Sequence, residues 1–147
     1  MRKKLLESKL TQVIDNLNIV SENIPSSFEE FETLGLVKDG LYKRIEFAIE
    51  GILDICSVIN ADLGLGAPEI EDNILKNLET KKILSKKIVS IIQDMKKFRN
   101  LLVHRYGEVN DEIAFETISE RLSDFDLIIK EIENVLKKYN GNRKIKN

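Results

Sequence analysis

Leu41-Tyr42-Lys43-Arg44-Ile45-Glu46-Phe47-Ala48-Ile49-Glu50-Gly51-Ile52-Leu53-Asp54-Ile55-Cys56-Ser57-Val58-Ile59 is the stretch on which the fold turns. Leu41, Ile45, Ala48, Ile49, Ile52, Leu53, Ile55, Cys56 and Ile59 cover much of a helix's circumference, so residues 39–62 should form the most buried helix of the chain. Against that background Glu46, Glu50 and Asp54 recur at i, i+4, i+8. Charged side chains are rarely buried unless paired. The row is therefore either a solvated stripe or a face turned in part toward a cationic site, such as Arg99.

Outward from this helix the pattern stays helical. Upstream, Leu6, Leu10, Val13, Ile14, Leu17 and Val20 make one apolar stripe over residues 3–22, and Pro25 stops it. Ser26 and Ser27, each with Glu three residues later, offer capping boxes for a short turn through Phe28, Phe31 and Leu34 that Gly35 ends. Downstream, Gly64, Gly66 and Pro68 break the chain, and a short helix of weak amphipathicity spans 68–78. A further helix begins near Ser85, with Ile88, Ile91, Ile92, Met95, Phe98 and Leu102 on its core face and Gly107 just beyond. Asn110 is a good N-cap, and Asp111 and Glu112 suit the positive end of the helix that follows. That helix runs to about residue 139 through Ile118, Leu122, Phe125, Ile129, Ile132 and Leu136, with Lys137 and Lys138 at its end and Gly141 to stop it. No repeat or strand signal competes. The expectation is an all-α antiparallel bundle of four to five helices, a single domain over 1–139 with a basic, flexible tail over 140–147.

Composition sets the limits. The 147 residues suffice for one domain with a sizeable core. The formal net charge of −2 argues against a wholly basic nucleic-acid surface, so any RNA binding must come from a local patch. Cys56 is the single cysteine, which excludes an internal disulfide and reads as a buried thiol. No early segment has the apolar run of a signal peptide or membrane helix, and a cytoplasmic protein with no membrane partner is expected. No glutamate is followed three residues later by histidine, as a di-iron bundle needs, and one Cys with one His cannot build a zinc site. Gly64-Leu65-Gly66 is too short for a phosphate-binding loop. No metal or cofactor is implied.

Chemistry can concentrate in one place, Phe98-Arg99-Asn100-Leu101-Leu102-Val103-His104-Arg105-Tyr106, which holds the only histidine. On a helix Asn100 and His104 share a face, and the long Arg99 side chain can reach the same cleft. Imidazole titrates near neutral pH, and guanidinium fits phosphate oxygens as a fork. The pair is a minimal set for metal-free RNA cleavage: histidine assists attack of the 2′-OH on phosphorus, and arginine stabilises the phosphoryl oxygens. Lys96, Lys97 and Arg105 would supply local positive field. Cleavage wants both a base and an acid, and one histidine per chain makes a two-fold dimer with two motifs across one cleft the natural arrangement. Spacing alone leaves the alternatives open: His104 as a cation complementing a helix C-terminus, Tyr106 as a packing residue, Arg99 as an ion-pair partner.

The same residues carry a family likeness. Arg99-Asn100-Leu101-Leu102-Val103-His104 resembles the R-x4-6-H motif of HEPN ribonucleases, and the extension to Tyr106, R-x4-H-x-Y, resembles the HepT-like toxins paired with MntA-like nucleotidyltransferase antitoxins. The acidic stretch 108–112, the helix around 46–55 and Gly64-Leu65-Gly66-Ala67-Pro68 add to the likeness, which covers roughly residues 27–136. The resemblance implies a helical homodimer with a metal-independent RNase cleft and Arg99 and His104 as catalytic residues; Asn100, on the histidine's face, is a candidate in support, and Glu50 and Asp54 of the acidic row are candidates to orient Arg99. It implies RNA as substrate and an antitoxin that silences the toxin by adding AMP to Tyr106. The rival is a non-catalytic HEPN module that docks a nucleotidyltransferase or holds a nucleotide. A third possibility is a purely structural dimer.

Overall fold

A computed structural model describes the backbone of residues 1–67, 71–104 and 109–146, and the side chains of these except 71, 72, 104 and 140–146. Six helices form among the described residues: α1 (Lys3–Asn23), α2 (Phe28–Glu32), α3 (Leu36–Asp62), α4 (Glu71–Thr80), α5 (Lys86–His104) and α6 (Asp111–Lys146). The all-α expectation holds. The count exceeds four to five because the short turn around Phe31 is a helix in its own right.

α3 is the axis of the bundle, as its apolar circumference demands. Leu41, Ile45, Ala48, Ile49, Ile52, Ile55, Cys56 and Ile59 are all buried, and α1, α4 and α5 pack around them. Polar pairs read out the antiparallel course of α1 against α3. Arg2 meets Asp62 at 2.8 Å, Lys9 meets Asp54, and Asn16 accepts from Arg44 at 3.1 Å. Gly51 sits where these helices pack closely, since a Cβ there would lie 2.6 Å from Val13 Cγ2. α6 closes the bundle against α1, α2 and α5. Phe31 knits α2 into this core, with its ring 5.0 Å from Phe115 and 5.8 Å from Tyr42.

The caps explain where the helices begin. Ser27 Oγ accepts from the Glu30 N–H, Ser85 Oγ from Ile88, and Asn110 Oδ1 from Ile113. Other boundaries correct the sequence reading. α3 starts at Leu36 rather than at residue 39, because Gly35 takes φ +58° and serves as its N-cap instead of ending the preceding turn. α4 ends in a paired Schellman closure without glycine: Lys82 adopts φ +58°, its N–H bonds to Glu79 O, and the Ile83 N–H bonds to Leu78 O. α4 also turns a clean stripe inward, Ile74, Leu75 and Leu78, against the expectation of weak amphipathicity. The expected helix start at Pro68 lies outside the described residues. The stop expected at Gly141 is not used. α6 continues to Lys146, because glycine accepts helical dihedrals at a cost of about 1 kcal/mol and no proline follows to forbid them.

Candidate functional site

α5 carries the candidate residues on its last turns. Leu102 and Met95 hold it in the core, and Phe98 packs partly buried against the same cluster. The next residue, Arg99, is half-buried, and its Nε–H donates to Asn100 Oδ1 at 3.0 Å. The amide thus orients the guanidinium at its neck. Arg99 opens on a hollow of about 830 Å³ lined by Glu50, Gly51, Leu53, Asp54 and Ser57 of α3 and by Ile74 of α4.

The acidic row is not a uniform solvated stripe. Glu46 is buried, 8% exposed, with Lys43 Nζ at 2.7 Å. Glu50 and Asp54 are exposed, share the hollow with Arg99, and Asp54 also meets Lys9. Two members of the row therefore line the same hollow as the arginine. Ser57 and Gly51 were missed there. Ser57 lies three residues beyond Asp54, on the neighbouring turn of the same helix.

His104 is the last residue of α5. Its side chain lies outside the described residues, as do Arg105 and Tyr106. Lys97 is exposed and Lys96 half-buried on the same helix. Cys56 is the buried thiol expected of it: burial pushes its pKa up to about 12, which removes it as a thiolate nucleophile. Among the described residues no group of three or more His, Cys, Asp or Glu side chains converges as metal ligands, and no helix is long and apolar enough to cross a membrane.

A second polar cluster, unforeseen in the sequence, lies at the same end of the bundle. The Tyr42 hydroxyl donates to Asp111 Oδ1 at 2.6 Å, and Lys38 Nζ meets Asp111 Oδ2 at 2.8 Å. Burial raises the Asp111 carboxyl's pKa, but the hydrogen bonds from Lys38 and Tyr42 and the lysine charge outweigh it and hold the group below its ordinary 3.8. Burial first, then the bond to Asp111, pushes the Tyr42 hydroxyl far above its ordinary value, so it stays neutral. Asp111 was legible as a first-turn acid, but no spacing rule reaches Tyr42 across 69 positions.

The described residues thus form an antiparallel all-helical bundle in which Arg99 opens on a hollow, five residues before the only histidine of the sequence. Residues 13–132 match the family described as Ribonuclease HepT-like, and the chain belongs to that family. It is 24% identical over 138 residues to an Archaeoglobus fulgidus protein named "Putative RNase", covering 94% of this chain and 98% of the relative. It is 26% identical over 108 residues to the Shewanella oneidensis protein named mRNA nuclease HepT, covering 74% and 79%. The fold matches that of a tri-AMPylated Shewanella oneidensis HEPN toxin solved in complex with its MNT antitoxin, with a TM-score of 0.78 at 20% identity over 88% of this chain and 96% of that one.

Proposed function

We propose that this chain is the toxin of a toxin–antitoxin pair, an endoribonuclease that cuts RNA without a metal ion. Arg99 and His104 are the cutting pair, Asn100 orients Arg99, and Tyr106 is the residue on which a nucleotidyltransferase antitoxin places AMP. The observation that carries this reading is that the family match, residues 13–132, contains the whole R-x4-H-x-Y stretch within a ribonuclease family. The Shewanella structure, an AMPylated HEPN toxin in complex with an MNT antitoxin, supports AMPylation as the silencing step.

In the reaction His104 accepts the 2′-OH proton as that oxygen attacks the adjacent phosphorus, and Arg99 neutralises the charge that gathers on the phosphoryl oxygens. The bond from phosphorus to the 5′ oxygen breaks, and that oxygen takes a proton from an acid. One chain has one imidazole, so the acid is His104 of a second copy across a two-fold cleft. AMP on Tyr106 brings a phosphodiester charge and the bulk of a nucleotide to the place the RNA phosphate must occupy. Glu50 and Asp54 border the same hollow and orient the guanidinium from the α3 side.

The test is incubation of the purified protein with tRNA and mRNA in EDTA, beside the His104→Ala variant. Cleavage that survives chelation and vanishes with the histidine is the expected result. Intact RNA in every arm would return the protein to the class of binding modules.

A further inference from the structure

The ends of α5 and α6 are both seated on the first turns of α3. On one side, Leu102 and Val103 of α5 line a hollow with Asp39, Gly40, Tyr42 and Lys43 of α3. On the other side, Asp111, the first residue of α6, is bonded to Tyr42 and Lys38. Tyr42 belongs to both: its body lies beside the end of α5, and its hydroxyl holds the start of α6. Its own place is set by the core, since it is 6% exposed and packs edge-on to the fully buried Phe31 ring at 5.8 Å.

These bonds are more than α6 needs in order to start. Asn110 already caps the helix through the Ile113 N–H, and an acid in the first turn is stabilised by the helix dipole without any partner. Tyr42 and Lys38 instead tie that first turn to another helix 69 and 73 residues away in the chain. Asp111 is thus held on the first turns of α3, beside the hollow that Leu102 and Val103 of α5 share with Tyr42. Neither Lys38, Tyr42 nor Asp111 lines the hollow beside Arg99.

We propose that Lys38, Tyr42 and Asp111 are positioning residues: a clamp that fixes the start of α6 on α3 and thereby sets where the end of α5, with His104, stands. The kinetic half of the test rests on the ribonuclease reading, and the spectroscopic half does not. Because His104 is the only histidine, its ring protons give unambiguous NMR signals in the full chain. Tyr42→Phe is the clean variant, as it removes one neutral hydroxyl and no charge. Asp111→Asn removes the charge and one of the two acceptor oxygens that Tyr42 and Lys38 use. Asp62→Asn is the comparison, since it breaks an ion pair between α1 and α3 at the other end of the bundle.

The expected result is that Tyr42→Phe and Asp111→Asn shift or broaden the imidazole signal while Asp62→Asn leaves it unchanged. With RNA, the first two should lower kcat about ten- to a hundredfold, with KM changed by no more than about twofold. If all three variants only lower the melting temperature, and imidazole signal and kcat stay at wild-type values, the clamp is a plain structural contact and the proposal is overturned. Should wild-type protein leave RNA intact, the ribonuclease reading fails by itself, and the imidazole signal still decides the clamp.

Discussion

Asp111 carries two loads in one carboxylate. It sits in the first turn of α6, where a negative charge offsets the helix dipole, and it accepts bonds from Tyr42 and Lys38 of α3. Burial opposes its ionisation, but the two donors and the lysine charge win, and the folded-state pKa falls below 3.8. The sign of the linkage follows: the unfolded chain binds the proton more readily, so Asp111 contributes stability above about pH 3.8 and loses it as pH falls through the lower folded value. A partly exposed ion pair of this kind contributes about 1 kcal/mol or less. Asp62, drawn down by Arg2 against its own burial, adds to the same acid loss. The difference between wild type and Asp111→Asn isolates the first group. In urea unfolding the wild type should exceed the variant by about 1 kcal/mol at pH 6, and the two curves should converge as pH falls through the lowered folded-state value. A gap that persists unchanged into acid would show that the charge of Asp111 is not what stabilises the fold.

At the scale of the element, α1 and α3 pack closely at Gly51. Alanine is the better helix former by about 1 kcal/mol, so on propensity alone Gly51→Ala should stabilise α3. The geometry reverses the sign. Its Cβ would stand 2.6 Å from Val13 Cγ2, and Val13 is buried and β-branched, with little rotamer freedom to retreat. Gly51→Ala should therefore cost about 1–3 kcal/mol in chemical denaturation, and adding Val13→Ala should recover part of the loss. A stabilised single variant would mean that the helices simply slide apart. Elements whose ends are written as side-chain caps, at Ser27, Ser85 and Asn110, were legible in the sequence because one hydrogen bond decides each. The ends that turn on backbone dihedrals were not. Gly35 starts a helix instead of ending one, Gly141 lies inside a helix, and Lys82 takes a left-handed conformation that its residue type does not advertise. The site divides in the same way. Arg99 and Asn100 are adjacent in sequence, and Glu50 and Asp54 are one turn apart on α3, so local spacing found both pairs. The hollow that unites them, and the bond from Tyr42 to Asp111, depend on how α3, α5 and α6 pack, which spacing does not encode.

For the whole molecule the decisive quantity is the number of imidazoles per cleft. Transfer of a proton from the 2′-OH and return of one to the leaving oxygen are served by two groups, and each chain supplies one histidine and one Arg99 in the motif. If the cleft lies on a two-fold axis, its four side chains come from two chains, and variants that are dead alone can share one cleft. Arg99→Ala and His104→Ala should each reduce cleavage at least about a hundredfold as purified proteins. Mixed, unfolded and refolded together, about half of the pairs should be hybrids, each with one intact Arg99 and one intact His104. Such a hybrid lacks a second imidazole, so water must serve as acid or base, and its rate should stand above either parent yet below wild type. A single motif acting by itself predicts no recovery at any mixing ratio. Sedimentation of the refolded mixture, run beside the cleavage assay, separates a failure to pair from a failure to cut. Recovered cleavage in the dimer fraction places the two motifs in one site, whereas inactive dimers confine each motif to its own chain.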